Sequence, residues 1–465
     1  RTAFCFDPVF LDPWNRFCVW LRKNKGSKIA TSRQIPSFAG KTILPRMALL
    51  LSIHTDIMIF RIFFTLGFML AIDLYAYQAF KTVFRSSATP YVYWGITIAY
   101  VVFSITLAAM MTSGKVEYRY LSLLMGASIL LAVPKLIAIG PLLIEDVVRL
   151  GQYIFRGVTT QPTVMPERRA FISKLALGLA AIPFLGIIDG IWKGRYRYRV
   201  ISHTLEYEDL PDAFDGFTIA QISDIHSGSF DNTEKVQYGV DMVTELGADC
   251  IVFTGDMVNN TASEAEPWIP VFQRLKAKSG IFSILGNHDY GDYWRFPSPE
   301  AKVANMDRLK EIHTEMGMDL LLNDSRYFER NGERLYLAGV ENWGLPPFPQ
   351  YGDLNTALEQ IPEDAFTVLL SHDPSHFDAE VKQHPNKIHL TLSGHTHGMQ
   401  FGIEIPGWIK WSPVKFKYPK WAGLYPEQDG RILHVNRGFG FLAFPGRVGM
   451  WPEITHITLK KKAAV

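Results

Sequence analysis

At 465 residues, with 47 Lys and Arg against 45 Asp and Glu, the chain has room for two or three domains and carries almost no net charge. No basic excess argues for nucleic acid. Three cysteines, Cys5, Cys18 and Cys250, are too few and too scattered for a disulfide framework or a thiolate zinc site. Any metal must therefore be held by imidazole, carboxylate and amide.

The chain opens on Arg1, which leaves its start open. Residues 1–56 are basic and aperiodic and are expected to lie outside the functional unit. Four apolar runs come next: IMIFRIFFTLGFMLAIDLYAY (57–77), YVYWGITIAYVVFSITLAAMMT (91–112), LSLLMGASILLAVPKLIAIGPLLI (121–144) and FISKLALGLAAIPFLGIIDGIW (171–192). Each has about the 20 residues that cross a hydrocarbon core of roughly 30 Å, so 57–192 is predicted to be a multi-pass helical membrane region. Tyr91, Tyr93, Trp94 and Trp192 near the run ends suit interfacial anchoring. Lys135, beside Pro134 in the third run, is costly in lipid and marks a polar pocket, a snorkelling side chain or a contact facing the bundle.

Ahead of the fourth run, PERRAFISK sets Arg168 beside Arg169. The pair resembles a twin-arginine export signal, with the basic end of an ordinary span as the alternative. Both readings put these arginines in the cytoplasm and the rest of the chain beyond Trp192 outside it. Arg149 and Arg156 support that sidedness, whereas Lys193, Arg195, Arg197 and Arg199 oppose it. The expectation is a catalytic domain outside the cytoplasm.

From about residue 200 the pattern changes. FTIAQIS (217–223), DCIVFTG (249–255), GIFSILG (280–286), RLYLAGV (334–340), FTVLLS (366–371) and KIHLTLSG (387–394) read as buried strands, with helical segments at 232–247, 299–317 and 374–383. Residues 193–465 are thus an α/β domain, and in open α/β sheets ligands bind beyond the carboxyl ends of the strands. Those ends carry SDIH, TGD, GNHD, SHD and SGHTH. They supply Asp224, His226, Asp256, Asn287, His288, Asp289, His372, His395 and His397.

Mixed carboxylate, amide and imidazole without thiolate suits Mn, Fe, Zn or a similar divalent ion. About seven ligands are too many for one ion and right for two that share a bridging carboxylate. Such a pair, about 3.5–4 Å apart, keeps a net positive charge suited to a phosphate anion and can clamp an in-line displacement.

The ordered set DIH, GDMV, GNHD, SHD and GHTH is similar to that of the calcineurin-like metallophosphoesterase superfamily. The resemblance covers about residues 200–465 and implies a four-layer α/β/β/α sandwich. It implies that Asp224, His226 and His397 hold one divalent ion and Asn287, His372 and His395 the other, with Asp256 bridging. His288 would be the catalytic group, contacting substrate phosphate and protonating the leaving group after hydroxide attack. Asp289 would stand behind it and orient it. GDMVNNT places Asn259 where protein Ser/Thr phosphatases have a second aspartate, and no arginine comes after it, which argues against that branch.

The tail after GHTHGMQ looks like the bacterial membrane-bound or exported phosphodiesterase branch, some of whose members or relatives cleave UDP-2,3-diacylglucosamine. Arg437 and Arg447 are phosphate contacts in such a reading and exposed arginines otherwise. The insert with Trp408, Trp411, Phe416, Tyr418 and Trp421 is either an interfacial surface for amphiphiles or a packed lid. The expected activity is hydrolysis of phosphodiesters or phosphomonoesters by a membrane-anchored enzyme. A UDP-2,3-diacylglucosamine-type pyrophosphatase and a non-catalytic metal-binding membrane module are the alternatives. Expected partners are a phosphate-ester substrate, with a lipid-linked one kept open, and membrane lipid; no protein partner is predicted.

Overall fold

The computed structural model describes residues 67–112, 118–156, 166–405 and 407–462. The 1–56 segment and the first ten residues of the first apolar run (57–66) lie outside them. Two compact units divide the chain: Arg1–Ser104 with Leu130–Leu185, and Ile105–Ile129 with Gly186–Val465.

The described residues of the apolar part form helices 67–83, Thr89–Thr112, Tyr118–Arg156 and Pro166–Trp192. Among the described residues three helices are long and apolar enough to cross a membrane, Thr89–Met110, Tyr118–Phe155 and Glu167–Trp192. Large side chains such as Val102, Ile144 and Ile182 point outward. That arrangement would cost solvation energy in water and costs nothing in lipid. Ala79, Ala138, Ala176 and Ala180 form the buried seam with Leu142, where small residues let helices approach closely. Lys135 turns inward onto the Asp73 carboxylate, and the Tyr93 hydroxyl donates to the Asp73 backbone oxygen at 2.9 Å. It is therefore a bundle-facing contact and does not snorkel. Arg168 and Arg169 fold back onto Glu145 at 3.0 and 2.7 Å.

The second unit carries two six-stranded sheets. The strands are β1 (Arg199–Tyr207), β2 (Thr218–Ile222), β3 (Cys250–Phe253), β4 (Ile281–Ser283), β5 (Asp319–Leu320), β6 (Asp324–Arg330) and β7 (Glu333–Gly339). They continue with β8 (Thr367–Leu370), β9 (Leu390–Ser393), β10 (Ile403–Ile405), β11 (Ile409–Trp411), β12 (Gly423–Pro426), β13 (Ile432–Val435) and β14 (Glu453–Lys461). The sheet orders are β1-β14-β2-β3-β4-β5 and β12-β13-β9-β8-β7-β6, with β10–β11 a separate hairpin.

Period-two side-chain direction explains why the central strands, buried on both faces, are mostly apolar. Ile219, Cys250, Val252, Val368, Leu370, Leu390 and Leu392 point into the layer between the sheets. Ala220, Ile222, Ile251 and Phe253 point the other way, against Val236, Val240 and Leu309 of the helices Thr233–Glu245 and Pro299–Glu315. On the far side Ala338, Leu369 and Val435 meet Leu354, Leu358 and Phe377. The result is the four-layer α/β/β/α sandwich. Strands β2, β3 and β4 run parallel, as do β7, β8 and β9, so their carboxyl ends gather along one edge.

Candidate metal centre

The carboxyl ends of β2, β3 and β9 pass at once into strained backbone. Asp224, His226, Asp256, His395 and His397 all have φ between 47° and 70°, the left-handed region that costs a side-chain-bearing residue on the order of 1 kcal/mol or more. Two glycines make room for the turns. A Cβ on Gly255, itself at φ 93°, would come within 2.6 Å of the Gly286 nitrogen, and one on Gly394 within 1.9 Å of Ser223 Oγ. The strain turns the polar atoms of separate strands toward a common point.

They converge as two groups. Asp224, His226 and His397 form one, and Asp256, His372 and His395 the other, with ligand atoms in each lying within 4.8 Å of one another. Asn287 joins the second, its Oδ1 lying 2.8 Å from His395 Nδ1. Asp256 belongs to both: its Oδ2 is 3.2 Å from His372 Nε2 and 3.5 Å from His226 Nε2. Its other oxygen accepts the His288 backbone N–H at 2.9 Å, which fixes the carboxylate's orientation.

The outward-facing ring nitrogens decide the tautomers. His226 Nδ1 faces the Val258 carbonyl at 3.2 Å and His372 Nδ1 the Thr254 carbonyl at 2.7 Å. A carbonyl only accepts, so both Nδ1 atoms carry hydrogen and both Nε2 atoms face inward. His395 is reversed. Its Nε2 lies 2.8 Å from Tyr418 Oη, the Tyr418 hydroxyl donates to Asp373, and Nδ1 faces inward. Asn287 Nδ2 donates to Tyr293 Oη at 2.9 Å, which turns the amide oxygen toward the centre.

His226 Nε2 and His397 Nε2 stand 3.0 Å apart with carboxylates beside them. Inward lone pairs packed against carboxylates are an arrangement that a cation resolves, so the residues fit divalent metal. Burial pushes the His226 imidazole well below its ordinary range, which keeps it neutral and able to ligate. Burial opposes charge on His372 as well, yet the Asp256 carboxylate lifts it to about 10, so metal binding there displaces a proton.

His288 stands apart from both groups. Its Nδ1 donates to the Asn259 carbonyl at 2.7 Å, and its ring lies edge-on to His226 with centroids 5.0 Å apart. Together with His395 it is only half-buried, whereas the other expected ligands are buried. Asp289 does not orient it. Its oxygens accept the backbone N–H groups of Asp256, Gly286 and Met257 at 2.8–2.9 Å, so it pins the metal loops. Burial and the Asp256 charge push the Asp289 carboxyl up to about 7, and the N–H donors pull it back. The 259–261 loop steadies His288, held where Glu264 accepts the N–H of Asn259. Sequence reasoning missed Glu264, Tyr293 and the role of Tyr418.

Arg437 and Arg447, expected as phosphate contacts or as exposed arginines, are buried. Arg437 pairs with Glu453 and with Glu404 at 2.7 Å. Arg447 donates to the carbonyls of Gly438 and Gly440 and lies 3.3 Å from His397 Nδ1. Replacing Tyr418 by Phe removes the acceptor for His395 Nε2 and should weaken metal binding by about 10- to 100-fold. A metal titration of activity checks this; an unchanged midpoint would remove Tyr418 from the site.

Residues 217–399 match the family profile described as "Calcineurin-like phosphoesterase", and residues 57–195 the one described as "Probable Calcineurin-like phosphoesterase, transmembrane domain". The chain is 32% identical over 301 residues to the uncharacterized metallophosphoesterase YkuE of Bacillus subtilis, covering 63% of this chain and 98% of that protein. It is 27% identical to a transmembrane protein with metallophosphoesterase domain from Danio rerio, covering 67% and 68%. It is 26% identical to the UDP-2,3-diacylglucosamine pyrophosphatase LpxG of Chlamydia muridarum, covering 57% and 91%.

Proposed function

The chain belongs to the calcineurin-like metallophosphoesterase family, a metal-dependent phosphoester hydrolase with a transmembrane region, and on that premise we propose that it hydrolyses phosphodiester or phosphomonoester bonds at a two-ion centre. The observation that carries this is the Asp256 oxygen set between two buried groups of inward lone pairs, 3.2 Å from one imidazole and 3.5 Å from another. Asp224, His226 and His397 would hold one ion and Asn287, His372 and His395 the other, with Asp256 shared. The oxygen- and nitrogen-rich donor set suits Mn, Fe or Zn. Bound there, two divalent ions supply Lewis acidity toward the phosphoryl oxygens and make a water molecule acidic enough to ionise near neutral pH.

The chain's own residues do the rest. Buried contacts behind the ligands hold each in one tautomer, so the pocket is preorganised for a phosphate anion. His288, held through Nδ1, presents Nε2 at the half-open side of the site, where it would give a proton to the departing oxygen. We place this domain outside the cytoplasm, because Arg168 and Arg169 end the helix on the side opposite Trp192.

A lipid-linked pyrophosphate is the narrower reading, supported by the likeness to LpxG. A non-catalytic metal module is disfavoured by the presence of all seven ligand residues together with His288. The test is hydrolysis of bis-p-nitrophenyl phosphate beside p-nitrophenyl phosphate by the full chain, stripped of metal and then given Mn, Zn, Fe or Mg singly. Activity should vanish on stripping and return with at least one ion, with the diester favoured. Two ions bound without hydrolysis of either ester would overturn the enzymatic reading of these probes.

A further inference from the structure

The hairpin β10–β11 leaves apolar side chains exposed. Its register pairs Ile403 with Trp411, Glu404 with Lys410 and Ile405 with Ile409. A hairpin laid on a soluble domain normally turns its apolar row inward. The polar row is exposed yet tied down at its tips: Glu404 pairs with Arg437 at 2.7 Å, and Lys410 donates to the Ala422 carbonyl. Of the apolar row, Ile403 and Ile405 are 52% and 42% exposed, while Ile409 and Trp411 are half-buried. Trp408 near the hairpin turn and Phe416 just beyond β11 are 77% and 81% exposed.

The base of the same insert is a packed structure, since Val414, Trp421, Ala422 and Met450 form a buried cluster. The insert therefore has a lid-like root and an apolar outer surface. Both Lys415 and Lys417 are exposed beside that surface, and among the described residues no ion pair engages either one. Lys417 also lies 4.8 Å over the Phe348 ring, which meets His395 edge-on with centroids 4.9 Å apart, so the surface adjoins the metal centre.

We propose that the 403–417 surface docks into the interface of an anionic lipid bilayer, with Trp408 and Phe416 inserted among the headgroups and Lys415 and Lys417 against lipid phosphate. Three observations favour a bilayer as the occupant. Aromatic tips flanked by lysine match the chemistry of the headgroup region. Unpaired cations complement anionic lipid. The chain already carries apolar helices of membrane-spanning length, so a bilayer is always at hand. Docking would set the metal centre beside phosphate groups at the membrane surface; this last step rests on the hydrolase reading, and the docking itself does not.

The test uses the full chain in vesicles, with Cys5→Ser and Cys18→Ser to clear reactive thiols. An NBD fluorophore is attached through Trp408→Cys, through Phe416→Cys or, as an exposed control, through Glu363→Cys. Nitroxide-labelled lipid should quench the first two and spare the third, more strongly with phosphatidylglycerol than with phosphatidylcholine alone. Lys415→Glu should lower that quenching by about twofold, while hydrolysis of soluble bis-p-nitrophenyl phosphate stays unchanged. No quenching at 408 and 416 would overturn the proposal, as would equal quenching in both lipids. Shielding that grows with protein density, without quenching, would assign the surface to a second copy of the chain and also overturn it.

Discussion

Asp256→Asn should lower kcat/KM by about a thousandfold or more and reduce bound metal from two ions to one or fewer, as read by elemental analysis of the purified protein. The substitution keeps the side chain's shape and the Oδ1 contact with the His288 N–H, so the fold is spared. It removes the one charge that both groups share. It also introduces an amide N–H that can face the lone pairs of His226 and His372, 3.5 and 3.2 Å away. Two divalent cations about 4 Å apart repel each other by roughly 17 kcal/mol even at an effective dielectric constant of about 20. Without a shared anion, holding both is unfavourable. Retention of two ions by Asp256→Asn would show that the bridge lies elsewhere.

That residue was legible in the sequence because the chemistry sits at strand ends. The central strands β2, β3, β4, β8 and β9 are buried on both faces, so they read as short apolar runs, each closed by glycines and polar residues that stand out against it. The outer strands were harder to see. In β1, RVISHTLEY, and β14, EITHITLKK, apolar and polar residues alternate and the register pairs them parallel across 254 positions, a contact that no local pattern announces.

Arg437 and Arg447 were misplaced for a related reason. Arginine is seldom buried, and it is buried here only because Glu453, Glu404 and a ring of backbone carbonyls neutralise it. Those partners are supplied by the fold. Asp289 was placed correctly near the site and given the wrong contact. Its neighbour in sequence, His288, points away, while its own oxygens reach the backbone of the loops after β3 and β4. The aromatic insert could not be resolved into root and tip without knowing which face of β10–β11 is anchored.

His288→Ala should leave both ions in place and cost activity in proportion to how badly the leaving group needs a proton. Its imidazole is no member of either ligand group, and its Nδ1 is committed to the Asn259 carbonyl at 2.7 Å. The atom free to act is therefore Nε2. An alkyl leaving oxygen departs as a strong base and should lose about 10²- to 10⁴-fold in rate, the range that positioned proton transfer contributes. A p-nitrophenyl ester leaves as a stable anion and should lose far less, about tenfold or under. Binding of phosphate to the metal centre contributes to both substrates alike, so a loss of equal size for the two esters would assign His288 to phosphate binding alone. Glu264→Gln extends the argument by one contact. It weakens the anchor at the Asn259 N–H, 2.6 Å from Glu264, and should reproduce the same leaving-group bias at smaller size while His288 is still present. A bias in both variants, with metal content unchanged in each, is what a proton donor held by its loop requires.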